Sequence, residues 1–136
     1  MTENEALVRQ FFDLVRSGKA PERAADLMAS RVRAHQIVSE ALGTVVERTP
    51  GDYAAHVVEM VRDFGPFTLT IDELLCARDR VYVRWTQSGH HVGTIEGRAP
   101  TGRPLVQIAS AVYRISGGKI AEYWIQIDRL GLTLQL

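Results

Sequence analysis

The spacing of apolar residues changes at Phe67, from a helical repeat before that residue to a strict alternation after it. Apolar residues three and four positions apart predict helices, whereas alternation predicts strands with one face toward a core. Helical segments followed by a run of strands are typical of an α+β domain. The order therefore predicts a bent antiparallel sheet with three N-terminal helices packed on one of its faces.

The three predicted helices have recognisable ends. Thr2 predicts an N-cap for the first helix, with a Glu three residues later in a capping-box pattern, and Gly18 predicts the end of that helix. Pro21 opens a second helix and Pro50 a third, since proline suits the first turn. Gly65-Pro66 ends the third helix. The stretch between the second and third helices is predicted to be irregular.

Four strands are predicted after the third helix, over residues 67–73, 81–87, 105–115 and 120–128. A turn follows the first strand, a Gly-rich loop spans 92–103, and a hairpin turn spans 116–119. A bent sheet of this kind curls away from its helices and leaves a conical hole lined by alternate strand residues. Such a hole suits a small-molecule site. The apolar tail at 130–136 is expected to pack over the mouth of that hole or on a neighbouring subunit.

Length and charge restrict the function classes. The 136 residues predict one domain, 1–136, and the 16 Lys and Arg balance the 16 Asp and Glu. With no net positive field, neither nucleic acid nor an anionic membrane is an expected partner. The start of the chain lacks the pattern of a signal peptide, and no apolar run approaches about 18 residues. The chain is therefore expected to be soluble, intracellular and cytoplasmic.

The metal-binding residue types are sparse. Cys76 is the single cysteine, so an internal disulfide and a Cys-based zinc site are excluded, and a small buried hydrophobe is the expected role of this residue. The four histidines form no His-x-His or His-x-x-x-His pair. No metal site is predicted.

The last strand carries a candidate acid/base residue. Alternation places Trp124 and Asp128 on one face of that strand. A carboxyl group buried in an apolar, aromatic-bearing pocket has a raised pKa and can move protons near neutral pH. The alternative is a carboxylate at the strand end that caps a turn or pairs with Arg129. The sequence pattern alone leaves both interpretations open.

Other residues are candidates for the same pocket. His91 could polarise a carbonyl or hold Asp128 in place, or it could be a loop histidine bonded to backbone. His35 follows the second helix, where a surface position is the alternative. Gln107 lies mid-strand among small residues that would leave room for a ligand, and Trp85 is expected to line the core or the cavity.

A set of motifs gives the chain a family resemblance. These are Gly-x-His-x-Gly at 89–93, Pro-Thr-Gly at 100–102, Gly-Lys-Ile at 118–120, and Glu-x-Trp-x-x-x-Asp at 122–128, followed by Leu130-Gly131. Together with the element order, they resemble the SnoaL-like polyketide cyclases and predicted ester cyclases of the NTF2-like superfamily. The resemblance covers nearly the whole chain and implies a cone-shaped, NTF2-like barrel.

The resemblance also implies a chemistry. Characterised members close a ring of an antibiotic precursor by intramolecular aldol condensation, without metal or cofactor, and use an Asp as acid/base. By this resemblance Asp128 is the catalytic carboxylate, Trp124 packs on the substrate ring, and His91 and His35 assist. The expected substrate is a polyketide or a related carbonyl compound. The segment 37–49 lacks the Gly-rich turn usual in the family.

Two other functions and one assembly remain open. The same fold supports epoxide hydrolysis or epoxide-opening cyclisation, which would need either a second cavity carboxylate paired with Arg, such as Glu122, or a Tyr/Asn trio that holds the water. A non-catalytic small-molecule binder is the other alternative. A homodimer, or a higher homo-oligomer, is expected from a mixed aromatic, aliphatic and Arg face of the sheet. That predicted face consists of Tyr82, Arg84, Thr86, Val112, Arg114, Tyr123 and Ile125.

Overall fold

The computed structural model describes residues 1–136 as helices packed on one six-stranded sheet. Four α-helices are present: α1 (Glu3–Phe11), α2 (Ala24–Leu27), α3 (Pro50–Phe64) and α4 (Arg129–Thr133). The strands are β1 (Met28–Gln36), β2 (Val45–Arg48), β3 (Thr68–Ala77), β4 (Arg80–His90), β5 (Pro104–Ser116) and β6 (Lys119–Ile127). None of the helices has both the length and the apolar character that crossing a bilayer requires.

The helix starts follow the capping chemistry of the sequence. The Thr2 hydroxyl accepts the Glu5 backbone N–H at 3.0 Å, which confirms the predicted cap of α1. At α3, Thr49 and Asp52 form a complete capping box in front of the expected start at Pro50. The second predicted helix begins at Pro21 with a 3-10 turn, Pro21–Arg23, which continues into α2; it ends at Leu27 because the chain extends into β1 from Met28 onward.

A wider helical turn follows α1. Residues Phe12–Arg16 form a π-helical turn, closed by a 3.0 Å bond from the Ser17 N–H to the Phe12 carbonyl. The extra residue in this turn lets Val15 and Arg16, which are neighbours in sequence, both lie buried beneath α1. Such turns are often found at functional sites.

The sheet is open, with strand order β2-β1-β6-β5-β4-β3. The predicted antiparallel hairpins β3–β4 and β5–β6 are present, but β1 and β6 pair in parallel. The segment predicted to be irregular, which contains His35, instead forms β1 and β2. The cone is thus a curved sheet with two free edges, rather than a closed barrel.

The core lies between the concave face of the sheet and α1 and α3. An aromatic group forms its centre: the rings of Phe12 and Trp85 lie 4.9 Å apart, and those of Phe11 and Tyr113 lie 5.7 Å apart. The apolar tail forms α4, whose Leu132 is buried against Phe64 of α3 in a second, smaller cluster. The end of α3 is thereby fixed against the sheet.

Candidate functional site

An internal cavity of about 160 Å³ opens between the concave face of the sheet and α3. Strand residues at alternate positions supply one wall, and α3 supplies the other. The lining carries two guanidinium groups, a histidine, two amides and two tyrosines, and it contains no carboxylate. Its residues are Arg16, Gln36, Arg48, Tyr53, His56, Met60, Phe64, Gln107, Tyr123, Ile125 and Ile127.

Arg16 comes from the π-helical turn and is the most buried charge of the molecule, with 3% of its surface exposed. Its Nη1 donates to Gln87 Oε1 at 2.9 Å, and its guanidinium carbon lies 5.5 Å from the centre of the Trp85 ring. Both partners are uncharged. Arg16 therefore has no counter-ion within the protein.

Arg48, the last residue of β2, is the second guanidinium of the cavity. No carboxylate pairs with it, and its Nε is buried without a hydrogen-bond acceptor. Since arginine stays protonated in proteins, both groups are permanent charges. Arg16 is buried and Arg48 is half-buried, and an uncompensated buried charge destabilises a fold by about 3–5 kcal/mol. The cavity is therefore electrostatically suited to an anion.

His56 lies on α3 at the mouth of the cavity, where its side chain is still exposed to solvent. Partial burial lowers the pKa of its imidazole from the ordinary value of 6.5, and the charges of Arg48 and then Arg16 lower it further; Glu59 opposes the shift. The ring is thus neutral at pH 7. A neutral imidazole in a cavity can accept a proton from a bound molecule.

Two tyrosines complete the polar lining. Burial raises the pKa of Tyr53 well above its usual range, and the positive charge of Arg16 only partly opposes this. Burial also raises the pKa of Tyr123, against the lowering effect of Arg48. Both hydroxyls therefore stay protonated and serve as hydrogen-bond donors or acceptors rather than as bases.

Only one of the six residues predicted from the sequence lines this cavity. Gln107 does so, from the inner face of β5. Trp85 is fully buried in the core directly beneath Arg16, so it supports the cavity without lining it. The other four lie elsewhere, and the predicted pocket that joins Trp124 and Asp128 to a histidine is absent.

Asp128 lies just beyond the end of β6, exposed on the outer side of the sheet. Its Oδ1 accepts the Gly131 N–H at 3.0 Å and so caps α4, as in the alternative that the sequence left open. The residue borders a shallow depression on this side with Arg84, Ile108 and Gln126. Asp128 does not line the internal cavity.

Trp124 and His35 stack on each other on the outer face, with ring centres 4.7 Å apart and planes within 9°. His35 Nε2 lies 2.6 Å from Glu122 Oε2, and Arg114 Nε donates to Glu122 Oε1 at 2.9 Å. The guanidinium of Arg80 lies 4.7 Å from the Trp124 ring centre. Glu122 is therefore committed to an outer cluster and does not supply the second cavity carboxylate, which was one of the two arrangements expected for epoxide chemistry.

His91 is fully buried in the loop after β4. Its Nδ1 lies 3.2 Å from the Thr101 hydroxyl, its backbone N–H donates to the Arg103 carbonyl, and its carbonyl accepts the Gly102 N–H. The Gly-His-His-Val-Gly and Pro-Thr-Gly motifs thus bond to each other and fix the 92–103 loop. His91 does not line the cavity.

A larger cleft of about 460 Å³ lies between α1 and β3 on the surface. Its charged residues include Asp13 and Lys19, which pair with each other at 3.5 Å in solvent. A paired, exposed charge has little interaction free energy to offer a ligand. The internal cavity, whose two arginines have no carboxylate partner, is therefore the better candidate site.

Comparison with known proteins agrees with the fold. A model of the SnoaL-like polyketide cyclase family matches residues 6–136. No curated protein matches the chain significantly. Among solved structures, a candidate polyketide cyclase from Acidithiobacillus ferrooxidans superposes with a TM-score of 0.85 at 23% identity, covering 99% of this chain and 94% of the other.

Two Streptomyces proteins show the same architecture. IdmH from Streptomyces antibioticus, a candidate polyketide cyclase, has a TM-score of 0.82 at 19% identity, with 98% of each chain covered. AclR from Streptomyces galilaeus, a candidate hydroxylase, has a TM-score of 0.81 at 19% identity, covering 98% of this chain and 83% of the other. One fold therefore carries differently named activities, and the reaction must be inferred from the site.

Proposed function

This chain belongs to the SnoaL-like polyketide cyclase family, and on that premise we propose that it catalyses an intramolecular, aldol-type ring closure of a carbonyl compound in its internal cavity. The observation that carries the proposal is the pairing of a neutral imidazole with guanidinium groups that have no counter-ion. A base and a positive field are the two requirements for forming an enolate.

The proton that His56 removes from the substrate is returned to the same substrate molecule, so the reaction needs no other proton donor or acceptor. His56 removes a proton from the carbon next to a substrate carbonyl, and Arg48 stabilises the negative charge that develops on the carbonyl oxygen. The enolate carbon then attacks a second carbonyl of the same substrate and forms the new carbon–carbon bond. The resulting alkoxide takes the proton back from the His56 imidazolium, so the product is an isomer of the substrate.

The dimensions of the cavity limit what enters it. A cavity of about 150 Å³ accommodates a molecule the size of benzene. The 160 Å³ available here therefore holds one ring, or one dicarbonyl segment, of a larger compound. The remainder would extend through the mouth beside His56.

The test is turnover of a panel of polyketide methyl esters and shorter 1,3-dicarbonyl compounds by wild type and two variants. His56→Asn removes the base and should lower kcat by about 10²–10⁴, the usual contribution of general acid/base catalysis. Asp128→Asn keeps a capping side chain on α4 and should leave kcat within about twofold, since Asn caps helices as well as Asp. A large loss of kcat in Asp128→Asn, with little loss in His56→Asn, would indicate that Asp128 is the acid/base residue.

The same assay, with epoxides included in the panel, distinguishes the three functions considered for this site. Turnover of epoxides rather than dicarbonyls would favour the epoxide-opening alternative. Ligand binding without turnover of either class by wild type would favour a non-catalytic binding protein.

We also propose that the outer face of the sheet pairs with a second copy of this chain. Register places Tyr82, Val112, Trp124 and His35 in one row across four strands, and Ile108 on the same face is 46% exposed. A two-fold axis would bring this same face of each copy into contact. Tyr123 and Ile125, predicted for this face, lie on the inner one, because Tyr123 pairs directly with Tyr113.

Sedimentation velocity at micromolar concentration tests the dimer. Wild type should sediment as a dimer, and Val112→Glu should sediment as a monomer with unchanged circular dichroism. A monomeric wild type would contradict this assembly.

A further inference from the structure

The internal cavity holds one more positive charge than the proposed reaction uses. Arg16 and Arg48 both line the cavity, and neither has a carboxylate partner. The enolate forms together with the His56 imidazolium, so the proton transfer leaves the net charge of the cavity unchanged. We therefore expect the substrate to carry a negative group of its own, which compensates the guanidinium that the reaction does not use.

The two guanidiniums are placed for different tasks. Arg48 is the last residue of β2 and is half-buried, whereas Arg16 comes from the π-helical turn and is buried. Arg16 is held rigidly from behind by Gln87 and by the Trp85 ring. A buried and fixed guanidinium loses little conformational entropy when it binds a ligand.

The shape of the guanidinium indicates the chemical class of the ligand. Gln87 occupies Nη1 of Arg16, and the group carries five N–H donors in a planar fork. Such a fork matches the two oxygens of a carboxylate in a bidentate pair. Three further buried donors nearby, on Arg48, Trp85 and Gln87, also lack acceptors, so the surroundings are short of acceptors rather than donors.

We propose that Arg16 forms a carboxylate-binding subsite, and that the substrate is a carboxylic acid whose ring or dicarbonyl segment fills the cavity. This inference rests on the proposed function for the location of the reaction but not for the binding. During turnover the carboxylate then compensates Arg16, and the enolate develops while Arg48 and the His56 imidazolium are both positive.

The test measures binding alone, by titration calorimetry with benzoate and its neutral analogue benzamide. Benzoate should bind wild type about 10- to 100-fold more tightly than benzamide, the factor expected for a hydrogen-bonded ion pair over a neutral hydrogen bond. His56→Asn should keep this preference, even if the turnover assay shows that His56 is not a base. Failure of the proposed reaction and failure of this inference therefore give different results.

The matched variants locate the subsite. Arg16→Met combined with Gln87→Met removes the charge and its neutral partner and should reduce the preference for benzoate at least tenfold. Arg9→Met removes the same charge from the exposed side of α1 and should change nothing. If the double variant fails to fold, Arg16→Lys serves instead, since it keeps the charge but loses the planar fork, and it should weaken benzoate binding about tenfold. Equal affinity for the two probes, absence of benzoate binding at millimolar concentration, or a preference that survives loss of Arg16 would each overturn the proposal.

Discussion

If Arg16 is retained for a ligand, then removing its charge should make the empty protein more stable. The structure supplies the opposing contributions. The guanidinium is 3% exposed and has no counter-ion, so its burial is unfavourable. Replacing buried ionic groups by apolar residues of similar volume is neutral, or stabilises by about 1–4 kcal/mol. Against this stands the loss of the 2.9 Å bond to Gln87, which is worth about 1–3 kcal/mol.

A double-mutant cycle separates these contributions. Gln87→Met leaves the Arg16 charge without its acceptor and should be the least stable of the four proteins. Arg16→Met leaves the Gln87 amide unpaired and should lie near wild type. The combined variant removes the charge and the amide together, and we expect its free energy of unfolding to exceed that of wild type by about 1–3 kcal/mol.

Chemical and thermal denaturation measure the cycle. At roughly 2.1 cal/mol/K per residue, 136 residues give an unfolding entropy of about 0.29 kcal/mol/K. The expected gain therefore raises Tm by about 4–10 °C. Arg9→Met, an exposed control on the same helical segment, should stay within about 0.5 kcal/mol. A combined variant less stable than wild type would refute the reasoning, because Arg16 and Gln87 would then be a pair kept for stability.

Three further predictions rest on other parts of the molecule. The pKa of His56 is lowered, so its imidazole is neutral, and able to act as a base, at pH values above that pKa. The value of kcat/KM should therefore fall only as the pH drops below about 6.5, and this fall at acidic pH should be absent in His56→Asn. Burial raises the pKa of Glu122, but the hydrogen bonds of His35 and Arg114 outweigh burial and lower that pKa overall. The ionised Glu122 should therefore stabilise the fold at pH values above its ordinary pKa of 4.5, and this stabilisation should be lost as the pH falls below that value. Urea unfolding at several pH values should show a shallower acid slope for Glu122→Gln, and an unchanged slope would contradict the assignment. Gly89→Ala should destabilise by about 1–3 kcal/mol, because the new Cβ would lie 2.6 Å from the Phe64 carbonyl oxygen. Gly51→Ala in the first turn of α3, whose Cβ would make only an ordinary contact of 3.7 Å with the Thr49 hydroxyl, should be neutral or stabilising in the same denaturation assay.

The parts of the fold that depend on local chemistry were predictable from sequence. The caps at Thr2 and Pro50 and the hairpin at 116–119 follow from residues within a few positions of each other. The parallel pairing of β1 with β6 joins residues nearly 90 positions apart, and the local sequence pattern of neither strand predicts it. That pairing is why the stretch around His35 is a strand rather than an irregular loop.

Alternation along β6 correctly grouped Trp124 with Asp128, but it could not tell which group faces inward. Both faces of the strand carry an aromatic residue, Trp124 on one and Tyr123 on the other. The register decides between them, since Tyr123 lies opposite the buried Tyr113 of β5. Reversing the faces of this strand moved the predicted pocket to the wrong side of the sheet.

The residues now proposed for the site gave weaker signals. Arg16 sits near the end of a helical pattern, where a basic residue is typical of helix termini in general. Arg48 lies in the segment predicted to be irregular, and His56 falls one position from the apolar stripe of α3. Arg16 directly follows Val15, and both are buried in the structure, but nothing in the sequence distinguishes this arginine from one at an exposed helix end.

The placement of acid/base chemistry on α3 follows from what the sheet lacks. The inner positions of β6 that reach the cavity are Tyr123, Ile125 and Ile127, and none of them can take a proton from carbon at neutral pH. The tyrosine hydroxyl has a raised pKa, which makes it still less able to act as a base. A proton-accepting group must therefore come from the opposite wall, where His56 is the one titratable residue near its working range.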